Sequence, residues 1–257
     1  MAGRVAGKVA LVTGAARGQG RAHAVRLAQE GADIIAVDIC APIRNVPYPA
    51  ATEADLADTV KQVEELDRRI VSRVVDTRDL DALRTAVDDG VAELGKLDVV
   101  VANAGICIMA PWDQVTPEIF RDTIDVNLVG AWHTVVASAP HLVRNGGGSM
   151  ILTSSAAGLK GLPFLTPYVA SKHGVTGLAR AFAAELAKDN IRVNSLHPTG
   201  VETAMGSGDG TAMIGAAIGA NPRLGGMFTN TLPIETTQPE DQANAVLFLA
   251  SDESRYV

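Results

Sequence analysis

The sequence has only two cysteines, Cys40 and Cys107, far apart and outside any CxxC or Cys/His spacing. Neither a disulfide framework nor a structural zinc site is expected from them, and a reducing, cytoplasmic setting fits best. Basic residues are outnumbered: 22 Lys and Arg against 29 Asp and Glu give a formal charge of -7. Binding to nucleic acid needs clustered Lys and Arg, so that class of partner is disfavoured. Long apolar runs are missing as well; none reaches the roughly 18 residues that suggest a membrane span. The opening "MAGRVAGKVALVTGAARG" is too short and glycine-broken in its apolar part to read as a signal peptide. His23, His133, His141 and His197 share no ligand spacing, so no metal is assigned. No internal repeat and no linker rich in Ser, Pro and charge divides the chain, which favours one domain over 1–257.

What is present is a core: 47% of the 257 residues are hydrophobic. Apolar runs of strand length at 8–13, 33–38, 68–74, 97–103, 148–154 and 190–196 alternate with segments of helical period at 18–30, 52–67, 79–94, 116–144, 168–188 and 238–250. Thr52, Thr116 and Thr237 stand where N-caps would, ahead of acidic residues. Strands without polar alternation are covered on both faces, so the pattern predicts an α/β fold with a doubly wound parallel sheet. Two segments break the rhythm: 39–51, with Pro42, Pro47 and Pro49, and 204–237, long and rich in Gly and Met. Loops of that length are commonly lids or binding loops, and 204–237 is expected to cover a substrate. After the last helix the chain ends in "FLASDESRYV", so the sheet is expected to lack its final strand.

Between the first strand and first helix, "TGAARGQG" places Gly14, Gly18 and Gly20. Glycines let the backbone approach a pyrophosphate, and the helix N-terminus offers free N–H groups and a favourable dipole. A tight turn would need glycines too, but the context is a strand before and a helix after, and Asp38 closes the second strand where an acid takes ribose hydroxyls. This is a Rossmann-type arrangement. A carboxylate there repels a 2'-phosphate, so NAD is favoured over NADP; Arg17 in the same loop opposes that preference.

Tyr168 and Lys172 lie four residues apart at the start of a helix and therefore on one face. An ammonium beside a phenol lowers the phenol's pKa towards neutrality, where it can exchange a proton with an alcohol or ketone. Alone this is a common surface pairing. Ser155, just past a strand, adds a hydroxyl able to bond the reacting oxygen, and no nearby His or Asp suggests a serine nucleophile. His173 points about 100 degrees away from Lys172 and is read as a packing or surface residue.

With "TGAARGQG" (13–20), "NAG" (103–105), Asn127 in "DVNLVG", Ser155, "YVASK" (168–172) and "HPTGVET" (197–203), the chain resembles the short-chain dehydrogenases/reductases over essentially its whole length. The resemblance implies that Tyr168 is the general acid/base, that Lys172 binds the nicotinamide ribose and lowers the tyrosine pKa, that Ser155 orients the substrate oxygen, and that Asn127 holds a water linking Lys172 to solvent. It also implies that Gly14, Arg17, Gly18, Gln19 and Gly20 line the phosphates. Asp76 and Thr77 would meet the adenine, Asn103 and Gly105 flank the adenine ribose, and Val201 and Thr203 contact the carboxamide. Asp76 could instead cap the following helix, and Thr203 could be an ordinary loop residue.

The chemistry so implied is reversible oxidation of a secondary alcohol to a ketone. Candidate pocket walls are apolar: Ile106, Cys107, Ile108 and Met109, then Leu159 and Phe164, then Met205, Met213, Met227 and Phe228. They favour a neutral, hydrophobic alcohol. The proline-rich 39–51 resembles the insertion of the carveol dehydrogenase-like, mycofactocin-associated branch. That implies a segment covering the adenosine end of a tightly held NAD, re-oxidised by mycofactocin. Family members commonly form homotetramers through the helices near 116–144 and 168–188. An NADP-dependent ketone reductase and a catalytically silent nucleotide-binding sensor or scaffold are the alternatives.

Overall fold

Six strands form one fully parallel sheet in the order β3-β2-β1-β4-β5-β6 in this computed structural model, which describes residues 3–207 and 209–257. They are β1 (Val9–Thr13), β2 (Asp33–Asp38), β3 (Ile70–Val74), β4 (Val99–Ala102), β5 (Gly148–Thr153) and β6 (Ile191–Leu196). The register sets Leu11 of β1 between Ile35 of β2 and Val100 of β4. Among the described residues no strand follows the last helix.

The helices are α1 (Gly18–Gln29), α2 (Glu53–Glu64), α3 (Leu80–Leu94), α4 (Pro117–Ile124), α5 (Gly130–Arg144), α6 (Thr166–Leu186), α7 (Asp209–Ala220) and α8 (Pro239–Ala250). Alternate strand residues feed two cores. Leu11, Ile35, Val100 and Leu152 face α3, α5 and α6, where they meet Leu83, Val135 and Val175. Ala10, Val12, Ile34 and Ala36 face α1, α2 and α8, where they meet Ala24, Leu27, Leu56 and Leu247. The side with α1 is built from small residues, which lets the helix carrying the glycine loop sit close to the sheet. On the other side Gly90 of α3 does the same service: a Cβ there would come within 2.8 Å of Ile35.

Helix starts follow side-chain chemistry. Thr52 caps α2 in a reciprocal pairing with Asp55, Thr116 caps α4, and Asp79 caps α3. Thr237 does not cap α8. Gln238 stands at that cap, its N–H donating to Asp241 Oδ2 (2.8 Å), and the Thr237 hydroxyl instead donates to Gly200 O. The expected single helix over 116–144 is two helices joined by a π turn, Asp125–Val129. The expected cover 204–237 is not a plain loop, since it contains α7 and a 3-10 turn at Pro222–Met227. Gly208 of that segment lies outside the described residues.

Candidate active site

The C-terminal ends of the strands open onto a cavity of about 430 Å³. It lies where the strand order reverses between β1 and β4, the place at which doubly wound sheets bind ligands.

At its β1 end, Gly14 (φ +68°) and Gly18 (φ +54°) occupy the left-handed region that glycine alone adopts freely. The loop is packed to its limit, because a Cβ on Gly20 would lie 1.9 Å from Gly14 O and one on Gly14 would lie 3.0 Å from Ala104 Cα. Asp38 closes β2 as a buried carboxylate; Oδ2 accepts from Ala16 N (3.0 Å) and Oδ1 from Cys40 N (3.0 Å). Arg17 lines the cavity with the rest of the glycine loop and donates to Pro49 O in the 39–51 segment. Asp76 and Thr77 line the cavity beyond β3. The Asp76 carboxylate is held by its neighbour Arg78 (Nη2 to Oδ2, 2.6 Å), and the capping of α3 is left to Asp79.

Asn103, Gly105, Val201 and Thr203 line the same cavity. The Asn103 amide donates to Thr13 O (3.0 Å), while Thr13 Oγ1 accepts from both Asn103 N and Ala104 N. This knot welds the ends of β1 and β4. Thr203 reaches over the glycine loop, where its Cγ2 would be 3.3 Å from a Cβ on Gly18.

The opposite wall comes from β5 and α6. Ser155 Oγ accepts from Ala157 N (3.1 Å) and holds its proton loosely towards Pro198 O (3.4 Å). Lys172 is buried, donates to Thr153 O (2.7 Å) and sits 5.5 Å from the centre of the Tyr168 ring. Burial lowers its pKa to about 8. Tyr168 differs from the expected lowering: burial pushes its phenol up, and the nearby Ser155 hydroxyl only partly opposes that. Ser155 and Tyr168 both line the cavity, with their hydroxyls close enough for the serine to favour the phenolate. Asn127 does not line the cavity. It sits in the π turn, where Oδ1 accepts from Ile106 N (2.7 Å) and Nδ2 donates to Ile106 O (2.8 Å) and Ser171 Oγ (3.1 Å). Ser171 in turn donates to Tyr168 O (2.8 Å). A Cβ on Gly105 would stand 3.2 Å from Asn127 Oδ1 and 3.5 Å from Lys172 Nζ, so that glycine keeps the approach to both open.

Of the expected apolar lining, Ile106, Cys107, Met109, Met205, Met227 and Phe228 face the cavity, and Leu162 and Leu165 join them. Four residues do not line it. Ile108 is drawn into a small cluster with Ile106 and Val126, and Leu159 is 60% exposed. Phe164 adopts a left-handed backbone (φ +66°) whose carbonyl accepts from Ala110 N, and Met213 is carried away on α7. His173 is exposed, and its ring bonds Val169 O.

Three further residues join the site without having been expected there, Tyr48 and Lys160 for want of a sequence signal of their own and His197 because it reads in the sequence only as a non-ligand. Tyr48, from the 39–51 segment, lines the cavity and accepts from Cys107 N (3.1 Å). Lys160 lines it too and donates to Met227 O (2.9 Å). His197 bridges Ser155 O (3.0 Å) and Ser195 Oγ (2.9 Å). Only the prolines around Tyr48 hinted that its segment is held in one shape.

The residues fit a dinucleotide. Two buried wall atoms, Gln19 Oε1 and Thr153 Oγ1, have no hydrogen-bond partner among the described residues. Orphans of this kind are costly unless a ligand supplies the partner. Among the described residues there is no cluster of three or more His, Cys, Asp or Glu that could hold a metal, and no helix long and apolar enough to cross a membrane.

Comparison with known proteins agrees with this geometry. The family model for short chain dehydrogenase matches residues 8–213. The chain is 47% identical to (-)-trans-carveol dehydrogenase of Rhodococcus erythropolis over 99% of its own length and 94% of that protein. Among solved structures it is similar to a short chain dehydrogenase from Mycobacterium paratuberculosis bound to NAD (TM-score 0.96, 59% identity, 99% and 95% of the two chains). It is also similar to carveol dehydrogenase from Mycobacterium avium in complex with NAD (TM-score 0.94, 52% identity, 99% and 95%). Sheet order, glycine loop, and the convergence of Ser155, Tyr168 and Lys172 on one cavity agree with that match, and the chain belongs to the short-chain dehydrogenase family.

Proposed function

We propose that the protein is an NAD-dependent oxidoreductase that interconverts a hydrophobic secondary alcohol, terpenoid like carveol or similar, and its ketone. One observation carries the reading: Ser155, Tyr168 and Lys172 share a wall of the cavity whose other end is the glycine loop and the buried Asp38.

Gly14, Gly18, Gln19 and Gly20 would take the phosphates, Asp38 the adenosine ribose, Asp76 and Thr77 the adenine, Asn103 and Gly105 the region between, and Val201 and Thr203 the carboxamide. When bound, NAD supplies the hydride acceptor. The chain manages one proton. Tyr168 exchanges it with the substrate oxygen, and Ser155 turns its loosely held hydroxyl onto that oxygen. At neutral pH Lys172 lies below its pKa of about 8 and keeps the positive charge that favours the phenolate. Asn127 holds the backbone at Ile106 and would hold a water that links Lys172 to solvent. Met109, Leu162, Leu165, Met227 and Phe228 supply an apolar wall suited to a neutral ring compound.

The finer reading assigns 39–51 as a cover that slows NAD release, with mycofactocin re-oxidising the retained cofactor, and 204–237 as the substrate lid. Ile39, Pro42, Ile43, Val46 and Tyr48 all line the cavity, which supports the cover. Arg17 gives an N–H to Pro49 O, and the buried Asp38 carboxylate opposes a 2'-phosphate. An apolar groove between α5 and α6, with Leu128, Trp132 and Leu178 in its walls, suits homotetramer assembly.

The test is a panel of secondary alcohols assayed with free NAD and with an artificial acceptor, on wild type and Tyr168→Phe. Wild type is expected to oxidise alcohols, and the variant to keep bound nucleotide while losing turnover by about 10³-fold. Unchanged turnover in the variant sinks the mechanism. NADH accumulation without an acceptor requirement sinks the trapped-cofactor part alone.

A further inference from the structure

The segment 39–51 does more than lie beside the cofactor end of the cavity. It starts at Asp38 on β2, is tied by Pro49 O to Arg17 in the loop after β1, and reaches Cys107 in the loop after β4 through the Tyr48 hydroxyl. Through Tyr48 and Pro49 the segment thus spans the crevice between β1 and β4, over which a dinucleotide must pass in this fold. Ile43 and Val46 pack on the cluster of Ile106, Ile108 and Val126, and Arg44 pairs with Asp122 (3.5 Å), so the segment is anchored on both sides of the tyrosine.

The hydrogen bond to Cys107 uses Tyr48 only as an acceptor. Its own proton has no acceptor among the described residues, although the ring is largely enclosed and a phenol so placed normally finds one. Burial pushes the Tyr48 pKa up to about 12, so the proton is present throughout the working range. The cavity therefore holds two phenols with different surroundings. Tyr168 has the Lys172 ammonium beside its ring, whereas Tyr48 has a backbone N–H on its oxygen.

We infer that Tyr48 is a cofactor-binding residue, its O–H donating to a phosphate or ribose oxygen of the bound dinucleotide while its oxygen stays on Cys107 N. One hydroxyl then closes the crevice and grips what lies in it. This rests on the NAD reading above and adds a residue to it from outside the glycine loop.

Tyr48→Phe tests it without recourse to turnover. NAD affinity is measured by titration calorimetry and NAD exit by exchange of labelled NAD. The melting temperature is recorded with and without NAD, and the alcohol KM is determined alongside. The variant is expected to bind NAD about tenfold more weakly, the equivalent of about 1.4 kcal/mol, and to release it correspondingly faster. The rise in melting temperature on adding NAD should shrink. A lower melting temperature of the nucleotide-free protein with unchanged NAD affinity would make Tyr48 a structural strap only and overturn the inference. A raised alcohol KM with unchanged NAD affinity would place the hydroxyl on substrate and overturn it equally. If wild type itself binds no NAD, it is the functional reading that fails, not the assignment within it.

Discussion

The two irregular segments over the cavity differ in how they are held. The 39–51 segment is short, stiffened by Pro42, Pro47 and Pro49, and fixed by Arg17 to Pro49 O, by Tyr48 to Cys107 N and by the packing of Ile43 and Val46. The 204–237 segment is longer and mostly exposed, with Leu232 at 69% and Ile234 at 44%. Among the described residues its ties include Lys160 to Met227 O, Thr199 to Asn230 and, at its last residue, Thr237 to Gly200 O and to Gln242 beside an isolated bridge to Val201. Segments with little buried apolar contact open at low free-energy cost, and those with more do not. The cavity thus has a fastened end and a loosely covered end. That asymmetry suits an enzyme that keeps one ligand and exchanges another.

The comparison can be strained from either side. The largest effect is expected at the fastened end: Asp38→Asn keeps an acceptor for Ala16 N but removes the charge, and should cut the preference for NAD over NADP by about 50-fold, read as a ratio of dissociation constants. An unchanged ratio would remove Asp38 from cofactor selection.

The frame beneath both segments has its own weak point in His23, buried in α1 with neither ring nitrogen bonded among the described residues. Burial lowers its pKa from 6.5 to about 3. As pH falls below 6.5 the unfolded chain takes up the proton and the folded one does not. The stability present above 6.5 is therefore progressively lost down to about pH 3. Between pH 6.5 and 5 the loss is about 2 kcal/mol, and His23→Leu should abolish it in denaturant titrations at the two pH values. A variant with the same pH slope would clear His23.

Smaller effects separate the two covers. Ile43→Ala with Val46→Ala loosens the fastened segment, and labelled NAD should exchange about tenfold faster while the alcohol KM stays put. Lys160→Ala frees the other segment, with the alcohol KM shifting about threefold and NAD exchange unchanged. If the two variants gave the same signature, the division of labour between the covers would be wrong.

Sequence pattern reached the frame and the wall more readily than the covers. The strands and helices are periodic, and each of the six strands lies within two residues of its apolar run. Tyr168 and Lys172 are one helical repeat apart, so their shared face follows from local geometry, whereas Ser155 meets them across a 3-10 turn and an irregular stretch. Loops have no period. Nothing local distinguished Ile108, which turns into packing, from Cys107, which faces the cavity, nor Leu159 from Leu162. The π turn was invisible because its residues continue the helical pattern; the extra residue shows in the backbone bond from Gly130 N to Asp125 O, five residues back. Arg17 could be read as a counter-charge to Asp38 until its partner, a carbonyl 32 residues further on, was known. The Tyr168 pKa also departed from expectation, because burial outweighs the hydroxyl beside it.

The Asn127 amide pairs with both the N–H and the C=O of Ile106, just as a neighbouring peptide group would. A side chain has taken the place of a backbone rung. An amide offers that donor and acceptor on two arms of one short planar group, and glutamine, one methylene longer, would push the rung out of line. Aspartate would set an oxygen against the Ile106 carbonyl, and leucine would leave two peptide groups bare in the protein interior. The position therefore has no conservative replacement, although its side chain never reaches the cavity wall.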